Sequence, residues 1–190
     1  MLIVEKIKNS LFDSNTWLLS ETESNLVWLV DCGDIAPIID KIYGKIVVGV
    51  LLTHAHYDHF YGLLKLLDIF PECRIYTNSY GMEALASSKK NLSKYHEDPI
   101  EITDSFVTMI KEGNEIELFP DIKATVYDTP GHNPSCLCFR VGDYFFSGDA
   151  YIPGLKVVTN LPGGNKQQAK ESLDRIQSLI HNNTICAGHA

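Results

Sequence analysis

Short apolar runs alternate with polar breaks that carry glycine or proline, and this texture lays out the elements of the chain. Leu2–Lys8 alternates loosely and reads as a strand. Asn15–Ser20 and Asn25–Val30 read as two more, with Glu21–Ser24 as the turn between them. Short strands with small polar connections predict an antiparallel meander. Ala36–Tyr43 predicts a short helix, with Pro37 in its first turn, where a missing N–H costs little. Lys45–Thr53 is almost wholly apolar and predicts a buried strand. Over Asp58–Ile69, the residues Phe60, Leu63, Leu64 and Leu67 recur at helical spacing, and Pro71 stops the helix. Arg74–Thr77 reads as a strand and Ser79–Ser88 as a helix capped by Ser79. Lys89–Phe106 is polar and lacks a clear period. A long irregular stretch of this kind is expected to be a lid or a substrate wall.

The second half repeats the strand-rich texture. Ile116–Phe119, Lys123–Asp128, Ser135–Val141 and Tyr144–Ser147 read as strands, with Gly142-Asp143 as a tight hairpin turn. Pro162-Gly163-Gly164-Asn165 precedes a helix over Lys166–Ile180, with Ala169, Leu173, Ile176 and Ile180 on one face. Thr184–Ala187 is a last short strand. Strands, helices, strands and helices again predict an α+β protein, with two sheets face to face and helices outside.

Composition narrows the classes. A length of 190 residues fits one domain over 1–190, and 45% apolar with 10% aromatic residues supports an ordered core. A formal net charge of −8 argues against a generic nucleic-acid or anionic-membrane binder, because phosphate contacts need clustered Lys and Arg. Met1–Lys6 has no basic region followed by a long apolar core, so no signal peptide is expected. No apolar run approaches the ~18 residues of a membrane span. Cys32, Cys73, Cys136, Cys138 and Cys186 are odd in number and match no disulfide framework or zinc module, so reduced, mostly buried thiols in a cytoplasmic protein are expected.

The densest chemistry is His54-Ala55-His56-Tyr57-Asp58-His59, at the carboxyl end of the buried strand, where open α/β sheets present their sites. The period of two puts His54 and His56 on one side of the turn, and Asp58 and His59 follow on the start of a helix. Three more strand ends lead into glycine-bearing turns: Asp128-Thr129-Pro130-Gly131-His132, Phe146-Ser147-Gly148-Asp149 and Cys186-Ala187-Gly188-His189. Together these supply His54, His56, Asp58, His59, His132, Asp149 and His189. Imidazole and carboxylate suit zinc first, with iron or manganese as alternatives, and seven donors suffice for two divalent ions if one carboxylate bridges. Taken singly, Asp149 reads more readily as a turn or helix cap, and His132 or His189 as ordinary core or surface histidines.

These motifs resemble the metallo-β-lactamase superfamily, and within it the glyoxalase II-like hydrolases. His54–His59 matches the His-X-His-X-Asp-His signature, Thr129–His132 the third-histidine motif, Ser147–Asp149 the bridging-aspartate motif and Gly188-His189 the final histidine. Thr159–Gly164 is similar to the Thr-Asp-Leu-Pro-Gly-Gly segment of those hydrolases. The resemblance implies a four-layer αββα sandwich of two mixed sheets with helices on the outer faces. It implies His54, His56 and His132 on one ion, Asp58, His59 and His189 on the other, and Asp149 bridging. It further implies a bridging hydroxide as nucleophile and Asp58 as a proton carrier to the leaving group. Asp31 resembles an aspartate that orients a ligand from outside; its ordinary reading is a turn cap. In the loop after Asp149, glyoxalase II-like members hold an anionic substrate with a basic residue. Here Val158 stands where Arg is usual, so Lys156, with Asn160, is the expected substrate contact.

Three departures from the family pattern follow. Asn133 replaces the usual Ser or Thr after the third histidine, and Cys32 replaces the usual Pro. The chain given stops at Ala190, where glyoxalase II continues into a helical glutathione-binding domain, so hydroxyacylglutathione itself is not the expected substrate. The Ala190 carboxylate is expected near the metals or a partner subunit. His96 and His181 are expected at the surface. The leading expectation is a metal-dependent hydrolase of a small ester or thioester, acting as monomer or homodimer on a small-molecule substrate. A mononuclear iron persulfide dioxygenase and a non-catalytic metal-binding protein on the same fold are the alternatives.

Overall fold

The computed structural model describes residues 1–189; Ala190, with the expectation attached to its carboxylate, lies outside them. Its layers follow from the strand alternation. In β3 (Leu26–Val30) Val27 and Leu29 pack on one side, against helices, while Trp28 and Val30 pack on the other, against a second sheet. In β2 (Asn15–Glu21) Leu18 and Leu19 divide the same way. In β9 (Leu137–Val141) Leu137, Phe139 and Val141 face the first sheet, and Cys138 faces the opposite side with Phe145 and Ile176. The period of two thus sorts one sequence into three apolar layers.

The first sheet has the order β1-β2-β3-β4-β5-β6. It runs from β1 (Leu2–Lys8) through β4 (Ile46–Leu51) and β5 (Arg74–Thr77) to β6 (Val107–Met109). Its first three strands are antiparallel and the rest parallel. The second has the order β11-β10-β9-β8-β7 and adds β7 (Glu115–Phe119), β8 (Ile122–Asp128), β10 (Tyr144–Gly148) and β11 (Thr184–Ala187). Only its β10–β11 pair is parallel. Helices α1 (Ile35–Ile42), α2 (Leu63–Ile69) and α3 (Ser79–Leu85) cover the outer face of the first sheet, and α4 (Lys166–Leu179) covers that of the second. This is the expected αββα sandwich of two mixed sheets.

Between the sheets, Trp28 donates its Nε1–H to Leu118 O at 2.8 Å. Its ring lies over Gly49, where any Cβ would overlap it, so that glycine is a condition of the packing. Fully buried Phe139 and Phe146 each stabilise this layer by about 1.5–3 kcal/mol. The five cysteines are buried and unpaired, as expected. Among the described residues no helix is long and apolar enough to cross a membrane.

Three local expectations change. The helix expected over Asp58–Ile69 is two pieces: a single 3-10 turn over Tyr57–His59 and then α2. His59 O and Gly62 N–H are engaged by the backbone of Cys32, so the i to i+4 ladder cannot run through the motif. Asp58 and His59 therefore sit in a separate turn, off any α-helix. Asn78, one residue before Ser79, caps α3, and its side chain accepts from Gly81 N–H at 2.9 Å. The irregular stretch is followed by β6, three residues that pair with β5.

Candidate metal centre

The parallel strands of the first sheet end together, and the chain leaving β4 crosses that end as Thr53–His59. The turns after β8, β10 and β11 reach the same edge from the second sheet. Hydrogen bonds to backbone carbonyls hold the last turn and the first motif in place. Asn15 N–H donates to Gly188 O at 2.7 Å, and Asn15 Nδ2 and Trp17 Nε1 both donate to Ala187 O at 3.1 Å. Ser14 Oγ donates to Asp58 O at 2.7 Å. A Cβ on Gly188 would overlap the Asp149 carboxylate and the His59 ring, so only glycine lets the last turn approach.

All seven expected donors meet. Ligand atoms of His54, His56 and His132 lie within 4.8 Å of one another, as do those of Asp58, His59 and His189. His54, His59 and Asp149 form a third such group between them. Asp149 faces both sides: Oδ2 is 3.6 Å from His132 Nε2 and 3.4 Å from His189 Nε2, and Oδ1 is 3.5 Å from His59 Nε2. Asp58 Oδ2 lies 3.3 Å from His189 Nε2 and 3.5 Å from His59 Nε2.

Each histidine is held by its other ring nitrogen. His59 Nδ1 is 2.8 Å from Asp31 Oδ2, and Asp31 also accepts from Thr53 N–H at 2.8 Å and Thr53 Oγ–H at 2.7 Å. His132 Nδ1 donates to Val158 O at 2.8 Å and His189 Nδ1 to Phe12 O at 3.0 Å. His54 Nδ1 is 3.2 Å from Thr53 Oγ1. His56 is turned the other way: its Nε2 is 2.9 Å from Asn133 Nδ2, and its Nδ1 faces His132 Nε2 at 2.9 Å. Asn133 is fixed in turn by the N–H and hydroxyl of Ser135, both donating to its Oδ1. Such outer partners set which nitrogen a ring presents. Thr53 and Ser135 carry no sequence signal. Asn133 carried one, as a departure from the family pattern.

Charge divides the donors. Burial drives the pKa of His54 and His132 down and that of His56 to about 3, so these rings are neutral. Burial also opposes charge on His59 and His189, but nearby carboxylates overcome it. Asp58, Asp149 and Asp31 raise His59 to about 9, and hydrogen bonds to Asp149 and Asp58 raise His189 to about 10. Against the same burial, His59 and His189 hold Asp58 and Asp149 below the usual carboxylate range. Burial raises Asp31, with its His59 partner opposing.

The residues fit divalent cations. The converging atoms are nitrogen and oxygen only, and His54 Nε2 and Asp149 Oδ1 are buried there without a hydrogen-bond partner. An unpartnered buried polar atom costs about 1–3 kcal/mol, which an ion among these donors would relieve.

Two clefts open onto the donors. One, of about 320 Å³, has Ile152, Leu155, Lys156 and Val158 beside His132, Asp149 and His189. The other, of about 330 Å³, has Phe12, Tyr57, Tyr95 and His96 beside His56 and Asp58. His96 stacks on Tyr57 with centroids 4.2 Å apart and meets the edge of Phe12 at 6.1 Å. It was expected at the surface; it is half-buried because the irregular stretch folds back to the site. His181 is exposed, as expected. Lys156 lines the first cleft, whereas Asn160 is exposed and lines neither.

A fold of this layering with a histidine–aspartate cluster at one sheet edge belongs to the class of metal-centred αββα proteins. The model of the metallo-beta-lactamase superfamily matches residues 10–189, and the chain belongs to that superfamily. It is 29% identical over 180 residues to hydroxyacylglutathione hydrolase of Salmonella typhi, covering 93% of this chain and 62% of that relative. The chain thus spans less than two thirds of the curated relatives it matches. Among solved structures, BLEG-1 B3 metallo-beta-lactamase superposes with a TM-score of 0.87 at 21% identity, over 99% of this chain and 92% of the other. TTHA1623, solved in a di-iron-bound form, gives 0.82 at 24% identity, over 98% and 92%. Both share the fold.

Proposed function

We propose that the chain is a metal-dependent hydrolase of small esters or thioesters, with two divalent ions held by the seven converging donors. The observation that carries this reading is Asp149, whose carboxylate stands between two complete three-donor groups. His54, His56 and His132 would hold one ion and Asp58, His59 and His189 the other, with the Asp149 carboxylate available to both. Zinc suits this nitrogen and oxygen set, and iron or manganese suit it too. When bound, such ions supply a water acidic enough to attack at neutral pH and a Lewis acid for the carbonyl oxygen.

The chain's own residues do the rest. Asp58, ionised and partly open to the second cleft, takes a proton from the attacking water and returns it to the leaving group. A thiolate leaving group depends little on that proton, because its conjugate acid has a pKa of about 8.5. Asp31 positions the His59 ring. Phe12, Tyr57 and His96 hold the acyl group and exclude water from it. Lys156 faces the leaving group from the other cleft; Asn160 has no matching position there.

The test is a panel of thioesters and oxyesters on protein reconstituted with each metal, run beside Asp58→Asn. Turnover of the native chain with about two ions bound, falling steeply in the variant and more for oxyesters than thioesters, is expected. Undiminished turnover in Asp58→Asn would remove the role given to Asp58. One iron per chain with oxygen consumed would replace hydrolysis by dioxygenation. Complete loading without turnover on any substrate would leave a metal-binding protein.

A further inference from the structure

Beside the cleft that holds Lys156 lies a groove of about 290 Å³, between the loop after β10 and the first turns of α4. The two meet at Leu155, Lys156 and Val157, which line both. Lys156, Lys166 and Lys170 rim the groove, Leu155 and Leu173 give it apolar walls, and no acidic side chain lines it. The chain as a whole has 24 acidic against 16 basic residues, so a purely cationic groove runs against its average. Four lysines elsewhere are tied to carboxylates, in Lys8–Asp13, Lys41–Glu5, Lys90–Glu83 and Lys123–Glu115. Lys156, Lys166 and Lys170 form no ion pair among the described residues. The first turn of α4 also contains no acidic residue, and it places Lys166 where a cation opposes the helix dipole. Helix stability does not explain that choice.

We infer that this groove binds a phosphate-bearing, nucleotide-type thiol carrier, so that the substrate is a thioester whose thiol half lies along α4. This rests on the hydrolase reading above and deepens it. The chemistry matches at three points. Ammonium groups act as point charges for phosphate oxygens. The apolar walls suit an uncharged arm between the phosphates and the sulfur. The junction at Lys156 leads that arm to the donors, while the acyl group takes the aromatic cleft opposite. A tripeptide thiol, with two carboxylates and an ammonium, matches three lysines less well.

Two measurements separate the groove from the hydrolase reading. The first is calorimetric binding of coenzyme A, as a phosphate-bearing thiol, to the metal-loaded native chain and to the double variant Lys166→Glu, Lys170→Glu. Both residues are exposed, and Glu in the first turns favours the helix, so the variant folds. Binding that weakens about tenfold or more in the variant, and also with added salt, is expected for lost exposed charge contacts. Equal binding by both proteins, no binding by the native chain, or equally tight binding of glutathione overturns the assignment. The second is the ratio of kcat/KM for a coenzyme A thioester to that for the same acyl group on N-acetylcysteamine. The ratio is expected to fall about tenfold in the variant, through KM, as lost binding rather than lost chemistry. An unchanged ratio overturns the groove; absence of turnover on both thioesters in the native chain overturns thioester hydrolysis while the binding result still decides the groove.

Discussion

The two halves of the donor cluster lie side by side in one fold, yet their environments drive their charges apart. His54, His56 and His132 face one another and are sealed by the strand ends, so burial keeps them neutral. His59 and His189 are paired with Asp58, Asp149 and Asp31, and the carboxylates hold their protons against the same burial. The first half is therefore ready for a cation, whereas the second must give up protons to take one. The difference lies in the carboxylates: His59 has Asp31, Asp58 and Asp149 within 3.5 Å and His189 has Asp58 and Asp149, whereas of the first three rings only His132 has one, Asp149 at 3.6 Å.

Removing one donor from each half has the largest expected effect. His132→Ala and His189→Ala are each expected to leave about one ion per chain by elemental analysis. Each is expected to lower kcat/KM by about 10³, since several kcal/mol of charge stabilisation is lost at tenfold per 1.36 kcal/mol. Loss of both ions from either variant would show that the halves do not load separately. Next in size is Asp31→Ala, which strands His59 Nδ1 and both Thr53 donors in a buried site. Metal titration should show affinity in the second half about 10–100-fold weaker, with the first half unchanged. Denaturant melts should show a stability loss of about 3 kcal/mol. Asn133→Ala is the counterpart for the first half. It removes the group behind His56 and is expected to weaken that half by about tenfold only, at the low end of the same range.

The smallest effect is on melting temperature against pH in chelator-treated protein. Burial keeps the folded pKa values of His54, His56 and His132 below the ordinary 6.5. The unfolded chain then binds protons the folded chain refuses, and stability falls as pH drops below about 6.5. His59 and His189 have the opposite sign, with folded values raised to about 9 and about 10. Their stabilisation is complete below about 6.5 and is lost as pH rises through 9 to 10. Tm should fall on both flanks, by about 2–4 °C per kcal/mol in a chain of this size. Zinc should remove the alkaline fall. A flat alkaline limb without zinc would mean that His59 and His189 are not held protonated.

The layers were legible because strand alternation is local: Val27 and Leu29 against Trp28 and Val30 name two faces wherever the strand ends up. The helix expected over Asp58–Ile69 is interrupted for a non-local reason. Its apolar spacing is helical, but Cys32 takes the backbone groups of His59 and Gly62 that would continue the ladder. β6 escaped notice because three residues have no period, and its partner β5 lies thirty residues away. All seven donors stood out at strand ends, whereas Thr53 and Ser135 are common residues whose roles depend on what folds against them. The place of His96 is hidden for the same reason, since nothing in Lys89–Phe106 tells that the stretch returns to Tyr57.

By itself the sequence determined the donor types, their order along the chain and the alternation that sorts residues into layers, because each is set by neighbours a few positions apart. Tertiary structure alone decided which ring nitrogen each histidine presents and which histidines carry charge. It also brought three lysines from a loop and a helix to rim one groove. Those properties depend on groups distant in sequence, brought together by the two sheets, and on burial, which strengthens charge interactions once water is excluded.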